Sequence, residues 1–177
     1  MAGRLFFVVG PSGAGKDTLL AGAIAANPRL IWARRSITRP ASAGGEPYEG
    51  ISDAEFQTRL NAGDFALHWG AHGLMYGVPR SQLAPLAAGH DVLLNGSRGA
   101  LGQARAAYPD LRIIVITAPP AILAARLAAR GREDSADIAA RLARASFDLP
   151  TGVVATEVVN DAAPDIGIAR LLQAISA

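Results

Sequence analysis

Cysteine is absent from this chain of 177 residues, which removes a disulfide framework, a thiolate metal site and a cysteine nucleophile. Long apolar runs are missing as well. Alanine inflates the hydrophobic fraction of 50%, and no stretch approaches the ~18 residues of a membrane span. The apolar segment near the N-terminus is short and lacks a cleavage-site pattern, so it reads as a core strand and not as a signal peptide. A soluble, cytoplasmic protein without a membrane partner is the expectation. Charge of one sign is not in large excess either: the net charge is +2 and the arginines are dispersed along the chain. That pattern fits small phosphorylated ligands better than nucleic acid. Lysine is nearly missing, since the 17 basic residues include a single lysine, Lys16. The length fits one domain, residues 1–177, able to bury about two-thirds of its unfolded surface.

The lone lysine closes the run Gly10-Pro11-Ser12-Gly13-Ala14-Gly15-Lys16. This G-x-x-x-x-G-K spacing follows an apolar strand (Leu5 to Val9) and precedes a helical stretch (Asp17 to Ala26), the context of a phosphate-binding loop. Its glycines let successive backbone N–H groups point at phosphate oxygens, and the following helix adds its positive N-terminal end. Lysine suits the last position because a flexible point charge can follow the β- and γ-phosphates where a planar guanidinium fits less well. Residues 10–18 are therefore the candidate ATP-binding set, with Lys16 catalytic. Asp17 stands where the motif expects a Ser or Thr whose hydroxyl binds Mg²⁺. Its carboxylate can hold the ion or one of its waters, or it can complement the helix N-terminus; the two roles are compatible, and Thr18 is a second candidate. Mg²⁺ accompanying ATP is the expected cofactor, with Asp17 as its candidate ligand.

Strand-like and helix-like segments alternate along the rest of the chain. Leu30 to Ala33 reads as a strand, Arg39 to Gly50 as a polar loop, and Ser52-Asp53-Ala54-Glu55 as a capping box opening a helix to about Ala62. Phe65 to Trp69 and Leu74 to Val78 read as short strands around Ala71-His72-Gly73. A helix from Pro79 to about Ala88, a strand from Val92 to Leu94 that ends on the amide of Asn95, and a helix from Arg98 to Ala107 follow. Ile113 to Thr117 is a β-branched strand, Pro119-Pro120 begins a helix to Ala129, Ala136 to Phe147 is helical, and Glu157 to Val159 precedes a final helix from about Pro164. Such alternation predicts an α/β fold with a parallel sheet flanked by helices.

A second constellation is the break Arg126-Leu-Ala-Ala-Arg130-Gly131-Arg132-Glu133-Asp134, followed by Arg141 and Arg144. Arg126 and Arg130 lie one helical turn apart, so one face aims two guanidinium groups. Two arginine-bearing helices joined by a Gly-containing turn read as a lid over transferring phosphates, whose transition-state charge such arginines neutralise. A solvated, salt-bridged hairpin is the alternative, because Glu133, Asp134 and Asp137 lie nearby.

On these residues the chain resembles the guanylate kinase family along nearly its whole length. The loop, Thr38-Arg39-Pro40, the entry Ser52 to Phe56, Arg130-Gly131 with Arg141, and Asn160-Asp161 carry the likeness. The resemblance implies a P-loop core with a substrate-binding insertion at about residues 36–90 and a lid at about 126–144. It implies that Arg39, Tyr48 and Tyr76 contact the acceptor phosphate, that Arg130 and Arg141 act catalytically on the transferring one, and that Arg126 and Asn160 bind ATP. His68-Trp69 and Val78 replace the glutamate and serine with which that family reads guanine, and the second arginine of the acceptor segment is missing. The combination of Gly-Lys-Asp, Ile37-Thr38-Arg39, His68-Trp69, Met75-Tyr76-Gly77-Val78, Leu94-Asn95-Gly96-Ser97-Arg98 and Arg130-Gly131-Arg132-Glu133 resembles the ribose 1,5-bisphosphate phosphokinases of bacterial phosphonate degradation. That likeness implies ATP and a sugar bisphosphate as substrates. A bisphosphate needs anion binders and hydroxyl partners, for which Arg35, His68, Asn95, Ser97, Arg98 and Arg132 are the candidates; a structural role is the alternative, His68 as a satisfied, partly buried histidine and Arg98 as a bridge to an acidic neighbour. A nucleoside monophosphate kinase and a catalytically inactive interaction module are the alternatives; oligomeric state is not legible.

Overall fold

A computed structural model of the chain describes residues 2–43, 45–131, 134–143 and 148–177. Its main sheet has five strands in the order β2-β7-β1-β8-β9: β1 (Leu5–Val9), β2 (Leu30–Trp32), β7 (Asp91–Asn95), β8 (Arg112–Thr117) and β9 (Thr156–Val159). All five residues of β1 are buried, as a continuous apolar run in a parallel sheet covered on both faces requires. A second sheet has the order β4-β3-β6-β5, built from β3 (Arg35–Ile37), β4 (Tyr48–Gly50), β5 (Phe65–Ala71) and β6 (Leu74–Pro79). The residues divide into two compact units, each described below by itself.

The first unit comprises Pro28–Arg112 with the residues up to Phe7. Here β2 and β7 pair in parallel from Leu30 opposite Asp91 to Trp32 opposite Leu93. In the second sheet β5 and β6 form an antiparallel hairpin whose turn residues His72 and Gly73 both have positive φ, 53° and 72°, the geometry that matches strand twist in a two-residue turn. Helix α2 (Asp53–Asn61) starts where the capping box predicts, with the Ser52 hydroxyl accepting from Glu55 N at 3.1 Å. Its Phe56 stacks on Phe65 at 4.8 Å. The segment read as a loop from Arg39 to Gly50 ends in β4, and β3 precedes it. Three-residue strands carry too short an alternation to show in sequence. The helix expected from Pro79 to Ala88 is only α3 (Arg80–Leu83) followed by a 3₁₀ turn, Ala84–Leu86. Pro85 explains the change, having no N–H to donate to the carbonyl of Ser81. Likewise Arg98–Ala100 is a 3₁₀ turn leading into α4 (Leu101–Ala107).

The second unit comprises Val8–Asn27 and Ile113–Ala177. Helix α1 (Lys16–Ala26) begins directly at the loop lysine. It packs against the terminal α7 (Pro164–Ser176), and Gly22 permits that approach, because a Cβ there would lie 2.1 Å from Ile168 Cδ1. β8 and β9 pair in parallel from Ile114 opposite Thr156 to Thr117 opposite Val159. Helices α5 (Pro120–Ala129) and α6 (Ser135–Ala143) pack on one another. Among the described residues no helix is long and apolar enough to cross a membrane.

Candidate active site

The loop between β1 and α1 is shaped by its glycines. A Cβ on Gly10 would sit 2.2 Å from Ile116 O, so β8 leaves room for no side chain there. Gly15, the residue before α1, has φ 87°, a left-handed conformation that only glycine adopts without strain. Lys16 folds back over the loop, its Nζ donating to Gly10 O at 2.8 Å and to Pro11 O at 3.3 Å. The ammonium is thereby held against the loop backbone, and a glycine-built loop of this kind is where anions bind. Asp17 occupies the first turn of α1 and is partly buried, while Ser12 and Thr18 are exposed. Among the described residues no group of three or more His, Asp or Glu gathers to cage a metal. A single carboxylate beside a phosphate loop nonetheless fits Mg²⁺, which keeps several waters and takes its remaining ligands from nucleotide phosphates.

Arg126 and Asn160 sit against the same loop. Arg126 Nη1 donates to Gly13 O and Ala14 O, both at 3.3 Å, and its Nη2 to Asn160 O at 2.8 Å. Asn160 Nδ2 donates to Ala14 O at 2.8 Å. Arg130 closes α5 and is exposed, and Gly131 after it has φ 62° with open space around it. Of the remaining lid candidates, Arg132 and Arg144 lie outside the described residues, as does the side chain of Arg141 on α6.

The acceptor candidates Arg35, Arg39, Tyr48 and Tyr76 come together on the second sheet. Arg35 pairs with Tyr48 and Ile37 with Tyr76 in the strand register, which puts Arg35, Tyr48 and Tyr76 on one face. Trp69 stacks on Tyr76 at 5.7 Å and 3°, and the Arg35 guanidinium lies 4.9 Å from the Tyr76 ring and 5.8 Å from that of Trp69. Arg39 covers the Tyr48 ring at 4.3 Å, and the Tyr48 hydroxyl donates to Pro40 O. Arg35 is 7% exposed and forms a two-pronged ion pair with Glu46, also 7% exposed, in which Nε donates to Oε2 at 3.1 Å and Nη2 to Oε1. Sequence reading missed Glu46, and no local spacing could have found it, since the partners are 11 residues apart and share no helix or strand.

His68 behaves differently. It pairs with Gly77 in the register, whereas Trp69 pairs with Tyr76 and Leu67 with Val78. Its side chain therefore leaves the sheet on the opposite face from Arg35 and Tyr76, and the structure does not bring it together with them. Its backbone N–H donates to Gln103 Oε1. Val78 is fully buried beside Leu67, so its identity is a matter of packing. Asn95 ends β7 as a buried residue, Ser97 is partly exposed and Arg98 exposed. On the His68 face Ser36 Oγ donates to Glu49 Oε2 at 2.7 Å and Arg59 Nη1 to the same atom at 2.9 Å. These two donors, Arg59 first, hold the Glu49 carboxyl below its ordinary value of 4.5.

A glycine-built phosphate loop between the first strand of a parallel sheet and its helix, with a lysine folded over it, defines a P-loop α/β protein. The guanylate kinase family model matches residues 2–166, and the chain belongs to that family. The fold agrees with the crystal structure of guanylate kinase from Anaplasma phagocytophilum, which superposes with a TM-score of 0.71 over 99% of this chain and 85% of that one at 19% identity. Relatives of higher identity carry a different name. The ribose 1,5-bisphosphate phosphokinase PhnN of Ruegeria sp. (strain TM1040) is 53% identical over 151 residues, 85% of this chain and 80% of that protein. The bifunctional ribose 1,5-bisphosphokinase-thymidine phosphorylase of Azorhizobium caulinodans is 48% identical over 179 residues, 99% of this chain. The chain spans 26% of that bifunctional protein's length.

Proposed function

We propose that the chain is an ATP-dependent ribose 1,5-bisphosphate phosphokinase. One contrast supports this reading above others: 53% identity to a phosphokinase across most of both chains, against 19% to a guanylate kinase of the same fold. In the proposed reaction an oxygen of the sugar's 1-phosphate attacks the γ-phosphorus of ATP, the bond from that phosphorus to the β,γ-bridging oxygen breaks, and 5-phosphoribosyl 1-diphosphate and ADP leave. The acceptor oxygen is already anionic near neutral pH, so no general base is needed and positioning with charge neutralisation supplies the catalysis. Lys16 and the backbone N–H groups of residues 12–18 hold the β- and γ-phosphates. Asp17 would hold Mg²⁺, directly or through one of its waters, and the ion would supply charge neutralisation at the nucleotide phosphates. Arg130 and Arg141 act on the transferring phosphoryl group, where one well-placed cation can contribute about 10²–10³ in rate.

On the acceptor side Arg39, Tyr48 and Tyr76 bind the 1-phosphate. Arg35, His68, Asn95, Ser97, Arg98 and Arg132 are the candidates for the second phosphate and the sugar hydroxyls. The opposite faces of Arg35 and His68 favour Arg35 as the one beside Tyr76. A nucleoside monophosphate kinase keeps support from the family and the fold. One assay separates the two: ATP, Mg²⁺ and ribose 1,5-bisphosphate beside GMP and AMP, with products read by phosphorus NMR. Formation of 5-phosphoribosyl 1-diphosphate with little GMP turnover is expected, and robust GMP turnover with none of the sugar bisphosphate would leave the nucleotide kinase standing.

A further inference from the structure

The rear of the phosphate loop is held by residues remote in sequence. Arg126 grips the carbonyl of Gly13 across 113 residues, and the Asn160 amide grips that of Ala14 across 146. The two side chains are themselves joined, because Arg126 Nη2 donates to Asn160 O, and Asn160 N donates to Thr117 O at 2.7 Å where β8 ends. A peptide unit is planar and trans. Fixing the Ala14 carbonyl on one side therefore fixes the Gly15 N–H on the other.

The fit around the Asn160 amide is close. A Cβ on Gly15 would lie 2.6 Å from Asn160 Nδ2, and one on Gly167 would lie 2.6 Å from Asn160 Oδ1. Two glycines thus make room for one carboxamide that is 5% exposed. Among the described residues its Oδ1 meets no hydrogen-bond partner, a cost that native proteins accept at few positions. A smaller apolar side chain would avoid that cost and lose the grip on Ala14.

We infer that Asn160 and Arg126 are positioning residues that hold the phosphate loop in its anion-binding conformation. Their contribution to nucleotide affinity passes through the phosphates and not through the base or ribose. The inference rests on the loop being the ATP site proposed above. It predicts one pattern for two probes, MgATP and magnesium tripolyphosphate, titrated calorimetrically into wild type, Asn160→Asp and Arg126→Gln. Asn160→Asp keeps the shape and turns an oxygen toward Ala14 O, while Arg126→Gln can reach only one of the two carbonyls.

Each variant should weaken both probes by roughly tenfold or more and by the same factor, so that the ratio of the two Kd values stays at the wild-type figure. The double variant should lose less than the product of the single losses, because both residues hold one loop conformation. A loss confined to MgATP would mean direct contact with the nucleoside and overturn the inference, as would unchanged affinity for both probes. If Asn160→Asp does not fold, Arg126→Gln decides the matter alone. Wild type that binds neither probe brings down the nucleotide site and this inference together.

Discussion

The phosphate loop and the four-stranded sheet handle charge in opposite ways. At the loop the proposed binding groups are backbone amides, and the polar side chains around it, Lys16, Arg126 and Asn160, donate to loop carbonyls. On and around the sheet the cations are engaged by other side chains: Arg35 by Glu46 and the Tyr76 and Trp69 rings, Arg59 of α2 by Glu49, and Arg39, just past β3, by the Tyr48 ring. A site made of backbone needs glycines at fixed spacing and writes itself into the sequence. A site made of paired side chains needs only that partners meet after folding, and its geometry tolerates many spacings. The first should fail through ligand binding and turnover when altered, the second through stability.

The largest expected effect tests the loop. Lys16→Ala should lower turnover by about 10³-fold or more, since an ammonium aimed at developing charge acts mainly in the transition state. Its melting temperature should stay within a few degrees of wild type. Activity within tenfold of wild type would remove the loop from the chemistry.

Next comes the sheet, through the buried ion pair. Glu46→Ala removes the carboxylate paired with the Arg35 guanidinium, which is 7% exposed, and breaking such a buried pair costs about 3–5 kcal/mol of stability. Chemical denaturation should show that loss even without substrate. A loss under about 1 kcal/mol would mean that Arg35 finds another partner, and the contrast between the two regions would weaken accordingly.

Arg130→Ala sharpens the comparison within the arginines themselves. This exposed residue should drop kcat by about 10²-fold with little change in melting temperature, unlike Arg126, whose guanidinium is tied to the loop. A change confined to KM would limit Arg130 to ground-state binding, and no change would return it to a solvated helix end.

How much of this was legible differs by region for the same physical reason. Gly10, Gly15 and Lys16 announced the loop because their spacing is a steric demand of the backbone. The Ser52 cap and the apolar strands were legible because each follows from residues close in sequence. Arg126 and Asn160 drew notice as nucleotide contacts, yet their grip on Gly13 and Ala14 is a long-range meeting that no local pattern encodes. β3 and β4 are hidden because three residues cannot display a period, and the shortening of α3 rests on Pro85, a breaker that the sequence itself displays. His68 and Val78 stand on opposite faces, which a register known only after folding decides.

The smallest effect concerns Glu49, on the sheet face opposite Arg35. Its carboxyl is held below the ordinary value of 4.5 by the hydrogen bond from Arg59, then that from Ser36. A carboxylate lowered on folding contributes stability that is fully present above its unfolded value and is lost as pH falls through the folded one. The group is partly exposed, so solvent screening keeps the contribution to about 1 kcal/mol at most. Melting temperatures of wild type and Glu49→Gln, followed from pH about 6 down to about 3, should therefore differ by a constant few degrees at first. That difference should narrow as the pH drops below the ordinary glutamate value, because wild type alone gives up the charged interaction there. A gap that stays constant to the acid end would assign the Glu49 contacts to packing, and the rule that this sheet handles its cations through carboxylates would then rest on Arg35 and Glu46 alone.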